Sequence, residues 1–109
     1  MARSYKVLGQ VNPSATTDTT IYTVPSATET VVSTISICNI AATAATYRIA
    51  IRPDGETLAN KHYIAYDASL PANDTAMITV GLTANASDVI QVRASSASVV
   101  FGLFGSEIS

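Results

Sequence analysis

The stretch TYRIAIRPDG, Thr46–Gly55, decides the fold class. Tyr47, Ile49 and Ile51 alternate with Arg48, Ala50 and Arg52. A repeat of two places the first set on one face of an extended chain and the arginines on the other. That is the pattern of a strand with one side in a core and one side in water. Pro53-Asp54-Gly55 then stops it, because proline presets φ and glycine accepts a positive one.

The same signal recurs outward in both directions. Extended segments are expected at Tyr5–Val11, Ile21–Val24, Glu29–Ile40, Lys61–Leu70, Ala76–Ala84, Asp88–Ser95 and Ser98–Ile108. They are rich in Val, Ile and Thr, which suit a pleated backbone. In Ala76–Ala84 the inward set is Ile78, Val80 and Leu82; in Asp88–Ser95 it is Ile90, Val92 and Ala94, with Gln91 and Arg93 outward. Pro13, Pro25, the small residues Ala41–Ala45, and Pro71 with Asn73-Asp74 punctuate the chain. About eight strands spaced near ten residues apart fit an all-β domain, an antiparallel β-sandwich or a jelly-roll-like barrel, spanning 1–109 as one unit. The competing helix is Gly55–Ala65, where Leu58, His62 and Ala65 share a face; three positions are too few to outweigh β-rich neighbours.

Composition narrows the function classes. Charged residues are 13% of the chain, about half the usual share, and Thr, Ser and Ala fill the rest of the polar surface. Such a surface costs little to dehydrate, which favours contact with other protein. Net charge is −2 and there is no basic run, so a nucleic-acid footprint is not expected. Neither a membrane span nor the apolar core of a secretory signal is visible, so the chain is expected to start as made. Cys38 has no partner for an internal disulfide and sits in an apolar run, which predicts a buried free thiol.

The densest polar patch is LANKHYIAYDASLPANDT, Leu58–Thr75, with the single histidine, His62. An active site there would need a nucleophile and an orienting carboxylate. No GxSxG occurs, and in one strand His62 and Asp67 would point to opposite faces. No enzyme activity is expected. Metal binding is not expected either, since one Cys and one His cannot make a zinc site and no loop follows the EF-hand pattern. No cofactor is implied. The Asn73–Thr75 and Asn85–Ser87 triplets match the N-glycosylation pattern at a level chance supplies.

Partner contact is the remaining role for this patch. Tyr and Arg carry interface energy disproportionately. Arg48, Arg52, His62, Tyr63 and Tyr66 are therefore the candidate protein-contact residues, with His62 expected on a partly exposed strand rim. Tyr63 and Tyr66 are three apart and so are expected on opposite faces, one in the core and one outside. Phe101 and Phe104 are expected to point apart for the same reason. Gly102 and Gly105 suggest a bulge or a close backbone approach. The last segment is expected either to pack in the core or to pair with a neighbouring subunit.

YKVLGQVNPSATTDTTIYTVP, VVSTISICN, ATYRIAIRPDGETLANKHYIAYD, LPANDTAMITVGLTANASDVIQVRAS and FGLFGSEI together resemble a family of small tailed-bacteriophage virion structural proteins, found among phages of aquatic bacteria, cyanophages included. The most specific pieces are CN…ATYRIAIRP, NKHYIAYD and FGSEI. The resemblance spans nearly the whole chain and brings no catalytic motif. It implies a β-sandwich structural protein of the particle, made in the host cytoplasm. Two places in the virion stay open. One is the capsid exterior, as a cement or decoration protein that binds the major capsid protein as a homo-oligomer, a dimer or a trimer. The other is the tail, baseplate or fibre, as a module contacting host surface glycans.

Overall fold

Alternating side chains produce eight strands: β1 (Arg3–Val11), β2 (Thr19–Thr23), β3 (Glu29–Asn39), β4 (Ala45–Arg52), β5 (Tyr63–Leu70), β6 (Thr75–Ala84), β7 (Val89–Ala94) and β8 (Val99–Ile108). They come from a computed structural model that describes residues 3–109, so the first two residues of the expected 1–109 domain lie outside it. Every expected strand is present, with small shifts at the ends. Over Gly55–Ala65, where helix is the lesser alternative to strand, no α-helix forms; two short 3-10 turns, Pro53–Gly55 and Asn60–His62, lead into β5. Asp54 and Gly55 both hold positive φ, 54° and 68°, which is how the chain reverses after Pro53.

The strands form two antiparallel sheets, ordered β1-β8-β3-β6 and β2-β7-β4-β5. The pairing is nested. β4 pairs with β5, β3 with β6, β2 with β7 and β1 with β8. The chain is thus one long hairpin, folded at β4–β5 and rolled into two layers. Such a path is a jelly roll, which settles the choice left open between that and a simpler sandwich. Of the two expectations for the last segment it bears out core packing: β8 lies between β1 and β3, so neither of its edges is left for a neighbour.

The core lies between the layers. Val32, Ile35 and Ile37 from β3 and Val99, Phe101 and Leu103 from β8 face Ile49 from β4 and Ile90 and Val92 from β7, all buried. Each such side chain contributes about 1.5–3 kcal/mol by leaving water. The Tyr47 ring meets the Phe101 ring edge-on at 6.5 Å. Phe104 points the other way, as the period of two requires, and its ring lies over Gly102 on the outer surface. A Cβ on Gly102 would stand 2.6 Å from Ser36 Oγ and 3.0 Å from that ring. Cys38 departs from expectation. Its position alternates with Ile35, Ile37 and Asn39, so it belongs to the outer face and is half-buried beside Val100 and Thr75.

Polar groups close both ends of the sandwich. At one end Asn39 continues the inward row and is buried. Its Nδ2 donates to the carbonyls of Thr43 at 2.8 Å and Pro71 at 3.2 Å. Its Oδ1 accepts from the Ala41 N–H at 3.1 Å and the Ser98 hydroxyl at 2.9 Å. One amide therefore ties three loops together. At the other end the Tyr22 hydroxyl donates to Glu107 and lies 2.9 Å from Thr30 Oγ1, while Lys6 Nζ is 2.6 Å from Glu107 Oε1. The Lys6 and Tyr22 bonds hold the Glu107 carboxyl below the usual range. Burial, then the bond to Glu107, push the Tyr22 phenol up to about 12.

Candidate interaction surfaces

The two outer faces differ in chemistry. On the β2-β7-β4-β5 sheet, Arg48, Arg52 and Arg93 alternate outward from β4 and β7, with Arg48 directly opposite Arg93. Two arginines side by side repel unless carboxylates separate them. Asp67 takes Arg48 through two bonds, Nε to Oδ1 at 2.7 Å and Nη2 to Oδ2 at 3.2 Å. Asp18 stands 3.7 Å from Arg93. The Arg48 bonds hold the Asp67 carboxyl below its ordinary range, and Asp67 raises the guanidinium above its own. Thr16, Thr46, Arg48, Asp67, Arg93 and Ser95 line a shallow hollow of about 220 Å³ around these pairs.

β5 brings its two tyrosines together, contrary to expectation. Ala50 pairs with Tyr63, Ile49 with Ala65, and Tyr47 with Ala68. Each step therefore carries one extra residue on β5. The extra residue between Tyr63 and Ala65 reverses the alternation, so Tyr63 and Tyr66 both face outward. Their rings meet edge to face at 4.9 Å and 86°. The Arg48 guanidinium covers Tyr66 at 4.1 Å from the ring centre. With Asn60 the two rings line an open hollow of about 330 Å³. Arg48, Tyr63 and Tyr66 thus form one cluster.

The other two expected contact residues serve the fold. Arg52 clamps the turn after β4, donating to the carbonyls of Glu56 at 2.7 Å and Gly55 at 3.2 Å and to Gln91 Oε1 at 2.8 Å. Its side chain also explains why Gln91, outward by position, is buried. His62 is not on an exposed rim. It lies in the Asn60–His62 turn and is 4% exposed, which removes it from contact with a partner. Its Nδ1 accepts the Ala59 N–H at 2.9 Å, so the ring proton sits on Nε2, which donates to Glu56 Oε1 at 3.2 Å. That bond, helped by Lys61 at 3.7 Å, lowers the Glu56 carboxyl. The histidine's polar atoms are consumed in closing its own loop.

The β1-β8-β3-β6 sheet presents a contrasting outer face. From edge to edge it carries Tyr5 and Val7 (β1), Phe104 (β8), Val31 (β3) and Met77 (β6), among Gln, Ser, Thr and Gly. Tyr5, Val7 and Met77 are 78%, 51% and 63% exposed. The charged groups on this side, Arg3 and Glu29, sit at one end of the sheet beside Ile108. Sequence reasoning missed this face because its apolar residues come from four separate strands. No single stretch shows the patch; only the strand order assembles it.

Neither the known family models nor the curated proteins match this chain. Among solved structures it is similar to two of a pentameric capsid protein isolated from metagenomic phage sequences, at 22% identity in each case. The TM-scores are 0.37 and 0.36. The alignments cover 95% of this chain and only 62% and 64% of those proteins, so it spans less than two thirds of their length.

Proposed function

We propose that this chain is a structural protein of a bacteriophage virion, without enzymatic activity, that acts as a cement or decoration protein. It binds the major capsid protein on the capsid exterior as a homo-oligomer. The observation that carries this reading is the outer face of the β1-β8-β3-β6 sheet, where Tyr5, Val7 and Met77 stand exposed and Arg3 and Glu29 are held at one end. Contiguous exposed apolar surface on a small domain marks a contact with other protein. Weakly solvated Ser and Thr around it lower the cost of drying the interface. The nested strand order suits the role, since jelly rolls recur in viral shells, although the fold alone does not assign it. The sequence resemblance to phage virion proteins points the same way.

Quantitative mass spectrometry and imaging of particles carrying this protein test the proposal. Occupancy of a repeating lattice requires hundreds of copies on the shell. A handful of copies, confined to the tail, would defeat it. Tyr5→Glu and Val7→Glu, both exposed positions, should release the protein from particles while leaving its fold intact; Tyr66→Ala should not.

A second reading is favoured by the Tyr63–Tyr66 pair. Aromatic rings beside Asn60 are suited to a sugar face and its hydroxyls, as a tail or fibre module contacting host glycans would need. Binding on a glycan array that disappears in Tyr66→Ala would support it. Silence across a broad array would remove it.

A further inference from the structure

We propose that β6 is the seam of a two-fold dimer, in which the free edge of one chain pairs antiparallel with the same edge of a second copy. This gives the proposed oligomer its seam, and rests on the virion reading only for its place in a particle.

Two sheets leave four edge strands, and three are guarded. β2 is only five residues long, and its register shifts at Ile21. β5 carries two extra residues and Asp67 at a φ of 49°. β1 bears Arg3 and Lys6, shifts register at Leu8, and lies against β2 where Gly9 approaches the Ile21 carbonyl. Short length, bulges and charge are the devices that keep an edge from pairing. β6 has little of this. Its ten residues, TAMITVGLTA, contain no charge and no proline. One register shift falls at Val80-Gly81, leaving Thr75–Thr79 regular.

A second observation is independent of the edge itself. β6 makes its one extensive strand contact with β3. Its inward row, Ala76, Ile78, Val80 and Leu82, packs on the core but stays partly exposed, while Val32, Ile35 and Ile37 next to it on β3 are fully buried. The sandwich closes on the β1–β2 side and is open on the β6 side. Among the described residues, no backbone bond from Ala76–Ala84 reaches anything outside the sheet. An added strand would satisfy the edge and cover that row at once.

The regular half of β6 fits its own copy. A two-fold axis at Met77 places Met77 opposite Met77 and Thr75 opposite Thr79 on the outer side. On the inner side Ala76 stands opposite Ile78. Like falls on like, and no charge meets a charge. The occupant is therefore a second copy of this chain.

Light scattering on the purified full chain, with no capsid present, is the test. Wild type should run at twice 11.3 kDa in the micromolar range. M77K/T79K puts lysine opposite lysine at the axis and a second pair of lysines along the seam, all at exposed positions, and should run as a monomer with an unchanged melting curve. Mixing it with M77E/T79E should restore the dimer. Hydrogen exchange on wild type gives the same answer without a variant: amides in Thr75–Thr79 should become more protected as concentration rises. A monomeric wild type, a trimer or pentamer mass, a lysine variant that keeps the dimer, or exchange in β6 that ignores concentration would each overturn the seam. The virion proposal stands or falls separately, on particle composition.

Discussion

Replacing Tyr22 with Phe should cost stability at neutral pH and nothing at high pH. The Tyr22 hydroxyl donates to the Glu107 carboxylate, which also takes Lys6, and it contacts Thr30. A hydrogen bond to a charged group is worth about 1.5–3 kcal/mol. In a domain of this size 2 kcal/mol lowers the melting temperature by roughly 10 °C. The pH dependence follows from the phenol. Its pKa rises from 10.0 to about 12 on folding, so the folded chain holds the proton more tightly than the unfolded one. The contribution is complete below pH 10 and disappears as pH climbs towards 12. Two pH units correspond to about 3 kcal/mol, set first by burial of the phenol and then by its bond to Glu107. Urea melts of wild type and Y22F, run side by side from pH 7 to 12, should start about 2 kcal/mol apart and converge in the alkaline range. The comparison at equal pH removes effects common to both proteins. A gap that stays constant from pH 7 to 12 would refute the reasoning, because the bond would then be indifferent to the proton it needs.

Three further substitutions probe one end of the sandwich and the strands of the β1-β8-β3-β6 sheet. Asn39→Ala should cost about 3 kcal/mol in denaturant melts, since it strands partners in three loops at once; a loss under 1 kcal/mol would mean that water replaces the amide. Gly81 and Gly102 should respond to alanine for different reasons. Gly81→Ala meets empty space but a φ of 60° and should cost about 1–2 kcal/mol, whereas Gly102→Ala runs into Ser36 and Phe104 and should be rescued in part by Ser36→Ala. Absence of that rescue would place the strain elsewhere.

Much of this fold was legible in the sequence because strand alternation is a local property. Tyr47, Ile49, Ile90 and Val92 all lie inside, where a period of two put them. The error over the tyrosines has a local cause. A bulge adds a residue and reverses every side chain beyond it, and nothing in YIAYD signals that Ile64 is the extra one. Tyr63 and Tyr66 therefore stack when simple counting separates them. His62 was misplaced for a related reason: its segment turns before the strand begins, and Glu56, six residues back, captures the ring. Asn39 was in principle readable, as a polar residue continuing the buried row of Ile35 and Ile37.

The contrast between the two outer faces follows from the nested pairing. β4 and β7 are neighbours in one sheet, so the arginines that alternate along each meet on a single surface and need Asp67 and Asp18 between them. β3 and β8 are neighbours in the other sheet, and their outward rows are Val31, Thr34, Ser36 and Cys38 beside Val100, Gly102, Phe104 and Ser106, with the one charge, Glu29, at the end by Ile108. The ionic face uses its charges internally, Arg48 on Asp67 and Arg52 on its own turn, and exposed ion pairs of this kind add little to stability. Its worth lies in keeping that side soluble and unpaired. The neutral face has no such guard, and it runs without interruption to the open β6 edge. An isolated monomer would gain nothing from leaving one face and one edge bare while bulges and charges protect the rest. The same asymmetry is what a subunit needs if it is to adhere in one orientation.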